Sequence, residues 1–438
     1  MSAPSTSAQS VATKCPVALE DVDLFAPGAQ EHWYDAYQIL HEQGPIQRLP
    51  GGGYLPGTDA FVVTKYDDIV RVVKDPVLFS PSYTRAASSE IEERMFREAG
   101  FEGSAATRDS LRPTLEMHKE HRKRLTDPWV GPQGAVRHAS MIEAAASGLV
   151  DNWIDQGEVD LVAEFAAPLP QIVITTILGF PLEDMPMLKK AEQAQVRRFV
   201  FGSGPKDELP ADEDRENAAV LIEFRRYIQE QIEEKRLRPQ DDMISYLTQV
   251  DYDGRSLTNG EIMSVVIGMH IGGNETTQYA LTSEALLLAQ HPEVVEELRQ
   301  DRAKVKLFVE EALRIYAPTQ GGGGRFVTED TELRGVPIPR GSLVHPRWAA
   351  ANRDEEMFPD AEAIDLERPN TGAHMTFSLR PRGCPGQGLS RLEQNIAVNL
   401  LLDRLDDLHL PEGKNDFKHQ PGRMLGLYEL HLAFSTRA

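Results

Sequence analysis

Cysteine is nearly absent from this chain: Cys15 and Cys384 are the only two in 438 residues, which excludes a disulfide-stapled secreted scaffold. Each thiol is therefore either inert or chemical, and a reducing compartment is the simpler setting. A long apolar run is also missing. The longest uncharged stretch, Phe165 to Leu182, is interrupted by Pro168, Pro170, Gln171 and Pro181, which argues against a membrane span. Residues 1–14 have no apolar core of the kind a secretory signal needs. The expectation is a soluble, cytoplasmic protein with no membrane contact. Basic residues are scarce as well. The 46 Lys and Arg against 68 Asp and Glu give a net charge of −22, which disfavours non-specific binding to nucleic acid. With 41% apolar and 26% charged residues, a mainly disordered chain is excluded.

No internal repeat and no Gly/Ser/Pro-rich linker divides the chain. Residues 1–20 read as a flexible tail and 21–438 as a single domain, mainly α with a smaller β-rich part. Short β runs are expected at Tyr54–Leu55, Phe61–Thr64, Arg325–Thr328, Val336–Ile338, Ser342–His345 and Leu427–Ser435. Helical periodicity predicts His118–Asp127, Ser140–Gln156, Gln171–Leu178, Asn217–Lys235 and Lys306–Tyr316, with a variable stretch around Arg197–Glu208. Ser80–Arg112 reads as a long functional loop with short helices.

Three segments carry chemistry. In Phe377–Gly388 (FSLRPRGCPGQG), Cys384 lies in a glycine-rich loop just ahead of a helix, where the helix dipole and free N–H groups favour a thiolate ligand or nucleophile. The plainer alternative is a buried, unreactive cysteine. Glu261–Gln290 reads as one helix of about 30 residues, roughly 45 Å long. Gly272 and Gly273 in its middle cost roughly 1 kcal/mol each relative to Ala, so a ligand-accommodating kink or a close helix crossing must compensate. Glu275 and Thr276 follow directly, a carboxylate and a hydroxyl suited to proton relay. Third, Glu311 and Arg314 share a helix face, by default a surface ion pair.

Together, GGNETT (Gly272–Thr277), EALR (Glu311–Arg314), PDAEAIDLERPN (Pro359–Asn370) and the cysteine loop resemble the cytochrome P450 superfamily, specifically its soluble bacterial haem-thiolate monooxygenases. The resemblance runs from about Leu24 to the C-terminus and implies a cytochrome P450 fold with haem b (iron protoporphyrin IX) as cofactor. It makes Cys384 the iron ligand, Glu275 and Thr276 the acid–alcohol pair, and Glu311, Arg314 and Arg368 the triad holding the cysteine loop. It assigns haem contacts to His118, Arg122, Arg325, Arg382, Gly273 and Phe377, with His374 a further contact. Ile271, Gly272, Gly322, Gly323 and Phe199 fall where the substrate pocket is expected.

This sequence departs from the family pattern at Arg380, where a glycine is usual four residues before the cysteine, so that turn must be made differently. Pro385 removes an N–H that would otherwise point near the sulfur. Gly321–Gly324 implies either a wide pocket wall or a plain turn. The implied activity is insertion of one atom of O2 into a small hydrophobic molecule, by hydroxylation or oxidative dealkylation. Electrons would come from a separate ferredoxin or flavodoxin and its NAD(P)H reductase, since two cysteines are too few for an iron–sulfur cluster beside the haem ligand. Alternatives are a peroxide-driven peroxygenase of the same fold and a non-catalytic haem-binding sensor. A monomer is expected. Segments Thr371–Asn395 (net +2) and His118–Arg124 (net +3) stand out against the acidic whole as a docking patch for an acidic partner.

Overall fold

The computed structural model describes residues 14–81, 89–101, 111–112, 114–201, 209–321, 323–420, 422 and 424–437, with only the backbone of 198–201 included. Expectations for residues 1–13, most of the Ser80–Arg112 loop, 202–208 and Gly322 lie outside the described residues.

The architecture is mainly helical with a smaller mixed β region. The largest core cluster gathers Ile142 and Val150, Phe165, Val173 and Ile177, Phe224 and Ile228, Ile262 and Val266, and Ala397 and Leu401. Apart from Phe165, which lies in the short helical segment Val162–Ala166, these residues come from helices Ala139–Asp151, Pro168–Leu178, Ala211–Leu237, Asn259–Gly273 and Gln387–Arg404. Their apolar stripes meet as a helical bundle must to bury them. Gly179 ends Pro168–Leu178 with a left-handed φ of 87°, and its N–H closes on the Thr175 and Thr176 carbonyls.

The main sheet runs in the order Ile46–Leu49, Ala60–Val63, Leu343–Pro346, Arg325–Val327, Phe79–Ser80. Ala60–Val63 pairs parallel with Leu343–Pro346, and the other measured pairings are antiparallel. All four residues of Ala60–Val63 are buried, as a strand covered on both faces requires. A smaller sheet joins Leu405–His409, His431–Thr436 and Glu158–Asp160.

Two strand expectations need correcting. Tyr54 and Leu55 form a turn whose N–H groups both donate to the Gly341 carbonyl, and the strand that precedes it is Ile46–Leu49. At the C-terminus the strand is His431–Thr436 rather than Leu427–Ser435. Within the expected tail, Leu19–Asp21 forms a 3₁₀ turn, and Leu19 packs on a core cluster around Trp33 and Tyr37.

The expected long helix is two helices, Asn259–Gly273 and Glu275–Gln290, separated by Asn274 at φ −97°, ψ −85°. The first begins in a capping box: Thr258 Oγ1 accepts from Glu261 N at 3.2 Å, and Glu261 Oε2 accepts from Thr258 N at 2.8 Å. At the break, Asn274 Nδ2 donates to the His270 carbonyl at 3.0 Å and Thr276 Oγ1 to the Gly272 carbonyl at 3.0 Å, so side chains occupy acceptors that the interrupted ladder leaves open. The two glycines divide the labour. A Cβ on Gly273 would meet Ile174 at 3.1 Å, whereas one on Gly272 would meet nothing within 4 Å. Gly273 thus permits a close helix crossing, and Gly272 leaves space.

Candidate active site

The space beside Gly272 belongs to a cavity of about 340 Å³ lined by Gly268, Met269, Gly272, Gly273 and Thr276 on one side and by Phe377, Arg382, Cys384 and Leu389 on the other. Val130, Ile174 and Leu313 add apolar wall. The cysteine loop and the broken helix therefore face each other across one chamber.

The loop is built outward from a buried ion-pair cluster. Arg314 Nε and Nη2 donate to Glu311 Oε1 and Oε2 at 2.8 and 2.9 Å, and both side chains are fully buried. Arg368 Nε reaches Glu311 at 3.2 Å. The surface ion pair that the EALR segment suggests on its own is thus corrected to a buried one. The remaining guanidinium donors satisfy backbone: Arg314 the carbonyls of Asn352, Ala361 and Ala363, Arg368 those of Pro359 and Asp360. Asn352 passes the order on, accepting from Met375 N at 2.6 Å and donating to Thr376 Oγ1 at 2.8 Å. One residue further, the Phe377 carbonyl accepts from Cys384 N at 2.8 Å, which closes the loop.

A second clamp crosses below it. Glu310 accepts from Arg391 through both carboxylate oxygens, at 2.5 and 2.9 Å, and bonds His374 Nε2 at 3.0 Å. Arg391 also lies 4.4 Å over the Phe377 ring. Burial alone would push Glu310 up, but the hydrogen bonds and charges of His374 and Arg391 outweigh it and hold its carboxyl at about 2. His374, expected as a further haem contact, has its Nε2 engaged by Glu310. The turn problem at Arg380 is solved elsewhere: the left-handed residue is Ser378, with φ 57°, and Arg380 is exposed.

Around the sulfur, burial pushes the Cys384 thiol up, and the Gly386 and Gln387 N–H groups with the Arg122 and Arg391 charges offset only part of this. The Gly386 and Gln387 N–H groups at the helix terminus thus favour the thiolate, as expected of that position, against the burial that opposes it.

Arg122 donates to Asp127 at 2.9 Å and to the Gly383 carbonyl at 2.7 Å. His118 is buried, with neither ring nitrogen hydrogen-bonded. Burial, then the charges of Arg382, Arg112 and Arg122, lower its pKa to about 4, which favours a neutral imidazole donor. Arg325 is buried and donates to the Gly323 carbonyl at 2.9 Å. Buried donors and guanidiniums gathered around an orphaned imidazole are what a bound dianionic group would satisfy. With a sulfur on the cavity side, the residues present fit haem and its propionates.

On the opposite wall, Thr276 lines the cavity while Glu275 is buried behind it. Burial, then the neighbouring Glu192, raise the Glu275 carboxyl to about 7, with Lys189 and Tyr279 pulling back only part of the way. Of the expected pocket residues, Gly272 lines the cavity but Ile271 and Gly323 do not, and the Phe199 side chain lies outside the described residues. Gly321 and Gly324 are close-approach positions, not an open wall: a Cβ there would meet the Pro346 carbonyl at 2.6 Å or Leu343 at 2.9 Å. Sequence reasoning missed the cavity's polar corner, where Thr277 and Ser390 hydroxyls lie 3.3 Å apart, Gln394 donates to Ser390 at 2.8 Å, and Glu393 also lines the wall. Burial raises Glu393 well above the usual carboxylate range. Only its place one turn beyond Ser390, on the helix that leaves the cysteine loop, could have flagged it.

The Cytochrome P450 family profile matches residues 54–430. The chain belongs to the cytochrome P450 family. Cytochrome P450(MEG) of Priestia megaterium is 32% identical over 392 residues, covering 89% of this chain and 90% of that one. Cytochrome P450 107B1 of Saccharopolyspora erythraea is 30% identical over 407 residues, at 91% and 94% coverage. Vitamin D(3) 25-hydroxylase of Pseudonocardia autotrophica is 28% identical, at 96% and 98%. The crystal structure of P450BioI with an acyl carrier protein ligated to hexadec-9Z-enoic acid superposes with a TM-score of 0.79 at 26% identity, covering 93% of this chain and 99% of that one. Fold and family together support haem-thiolate monooxygenase chemistry in general. Among the described residues no helix is long and apolar enough to cross a membrane.

Proposed function

We propose that this P450 binds haem b through Cys384 and inserts one atom of O2 into a hydrophobic small molecule, by hydroxylation or oxidative dealkylation. The observation that supports this reading best is the cavity that Cys384 and Thr276 both face. Haem bound there supplies the iron at which O2 is reduced and split. Cys384 would hold that iron, and His118, Arg122, Arg325 and Arg382 would answer the propionates. Phe377 and the Glu310–Arg391 clamp keep the sulfur in place. The apolar walls from Val130, Ile174, Met269 and Leu389 exclude water and select an apolar substrate. Glu275, titrating near neutrality, holds a proton on its carboxyl, and the Thr276 hydroxyl, resting on the Gly272 carbonyl, turns to pass one into the cavity.

Electrons would arrive from a ferredoxin or flavodoxin served by an NAD(P)H reductase. Lys119, Lys123 and Arg380 are exposed, while Arg122, Arg124 and Arg391 are engaged by Asp127, Glu120 and Glu310. Steering by the exposed group predicts a reduction rate that falls as salt rises.

The test is spectral. The reduced carbon monoxide adduct must show a red-shifted Soret band, and Cys384→Ser must abolish it. Turnover with NADH and redox partners, compared with peroxide alone, separates the monooxygenase from a peroxygenase, and absence of any product would leave a haem sensor. Spin-state titration with steroids, terpenoids, fatty acids, alkoxy-aromatics and vitamin D3, the last suggested by the named hydroxylase relative, finds the substrate class.

A further inference from the structure

The chain's other cysteine lies apart from the cavity. Cys15 is exposed on the segment leading into the Leu19–Asp21 turn, and its Sγ donates to Asp35 Oδ2 at 3.3 Å. The same oxygen lies 3.7 Å from His32 Nδ1. The three donor atoms all fall within 4.8 Å of one another.

Two of the three are held by the fold. His32 closes the Ala29–His32 turn, and Asp35 occupies the first turn of the helix Trp33–Gln43, so the i, i+3 spacing puts both on one face. Between them Trp33 is buried, and its Nε1 donates to the Leu24 carbonyl at 3.0 Å, which locks the turn against the core. The third donor is placed by the Asp21 carboxylate, which accepts from the N–H groups of Val17 and Ala18.

We propose that Cys15, His32 and Asp35 form a zinc site. Zinc bonds of about 2.0–2.3 Å set the edges of a tetrahedron at roughly 3.3–3.7 Å; the sulfur–oxygen and nitrogen–oxygen separations fall in that range, and the sulfur–nitrogen edge, within 4.8 Å, closes to it on binding by rotation of the exposed Cys15 side chain. A thiolate and an imidazole beside one carboxylate select a borderline-soft ion over magnesium or calcium. Three protein ligands on an exposed surface leave the fourth position to water. On binding, the S–H bond breaks, the sulfur bonds the metal in place of its proton, and the proton goes to solvent. The zinc would clip the segment before the Leu19–Asp21 turn to the first long helix. This site uses neither Cys384 nor the cavity, so its test is independent of the monooxygenase reading.

The haem-loaded, tag-free full chain, stripped with a chelator, is titrated with ZnCl2 alone against a chromophoric competitor, without substrate or reductant. The expected result is one tight site per chain, weakened by at least about tenfold in Cys15→Ser and in His32→Ala. Alkylation of Cys15 by a maleimide should slow with Zn2+ and not with Mg2+. Equal zinc affinity in the parent and both variants, or alkylation that ignores Zn2+ or responds equally to Mg2+, overturns the proposal.

Discussion

The two walls of the cavity are built on opposite principles. On the cysteine side, the Glu311, Arg314, Arg368 and Asn352 network and the Glu310, Arg391 and His374 clamp meet where Thr376 N donates to His374 Nδ1 at 3.3 Å, one residue before the Phe377 carbonyl that accepts from Cys384 N. On the other side, the helix is broken at Asn274, two glycines directly precede the break, and a Glu275 carboxylate oxygen is buried without a hydrogen-bond partner. One wall fixes an atom in space at the cost of burying charge. The other stores unsatisfied polar groups where protons and small molecules must pass. Rigidity and reactivity are thus assigned to different stretches of chain.

The contrast can be broken most severely at Glu311. Glu311→Gln leaves two buried guanidiniums without their charge partner and should destabilise the fold by roughly 3–5 kcal/mol, read as loss of soluble folded protein and of thermal stability. Glu310→Gln should cost less, about 1.5–3 kcal/mol, because the clamp is partly exposed. Its pH signature is specific. With the folded carboxyl at about 2 against an ordinary 4.5, the clamp's contribution is complete above the ordinary value and is lost as pH falls from about 4.5 towards 2. Acid melts of the parent should show that loss, and the Gln variant should lack it.

On the opposite wall the effect is on activity. Glu275 is raised to about 7, so protonation favours the folded state below 4.5, and this stabilisation is lost as pH rises through 7. A pH limb in turnover near neutrality should flatten in Glu275→Gln. The smallest effect separates the two glycines. Gly272→Ala should raise stability by roughly 0.5–1 kcal/mol through helix propensity, while Gly273→Ala should gain less because its Cβ must displace Ile174. Matched chemical melts would show whether one position is open and the other closed.

Much of the site was legible in residue order. Cys384 among glycines ahead of a helix, the Glu311–Arg314 spacing and the Gly272–Gly273 pair all announce themselves locally, because short-range geometry gives them their meaning. The break at Asn274 rather than at the glycines was not legible, since a polar side chain taking a carbonyl one turn back looks like any other in sequence. Nor was the clamp at Glu310, whose partner Arg391 is 81 residues away. The close approaches at Gly321 and Gly324 are likewise set by Pro346 and Leu343, on a strand that only the folded sheet brings near. The lowered pKa of His118 was not legible either, because it comes from burial and from Arg382, far away in the chain, as well as from Arg112 and Arg122.

Arg314 and Arg368 spend most of their donors on the carbonyls of Asn352, Pro359, Asp360, Ala361 and Ala363, which every amino acid possesses. Apart from Asn352, whose side chain orders the cysteine loop, the stretch they grip is therefore held through its backbone. Its exposed side chains, such as Glu355, Asp360 and Glu362, can change under mutation without loosening that grip.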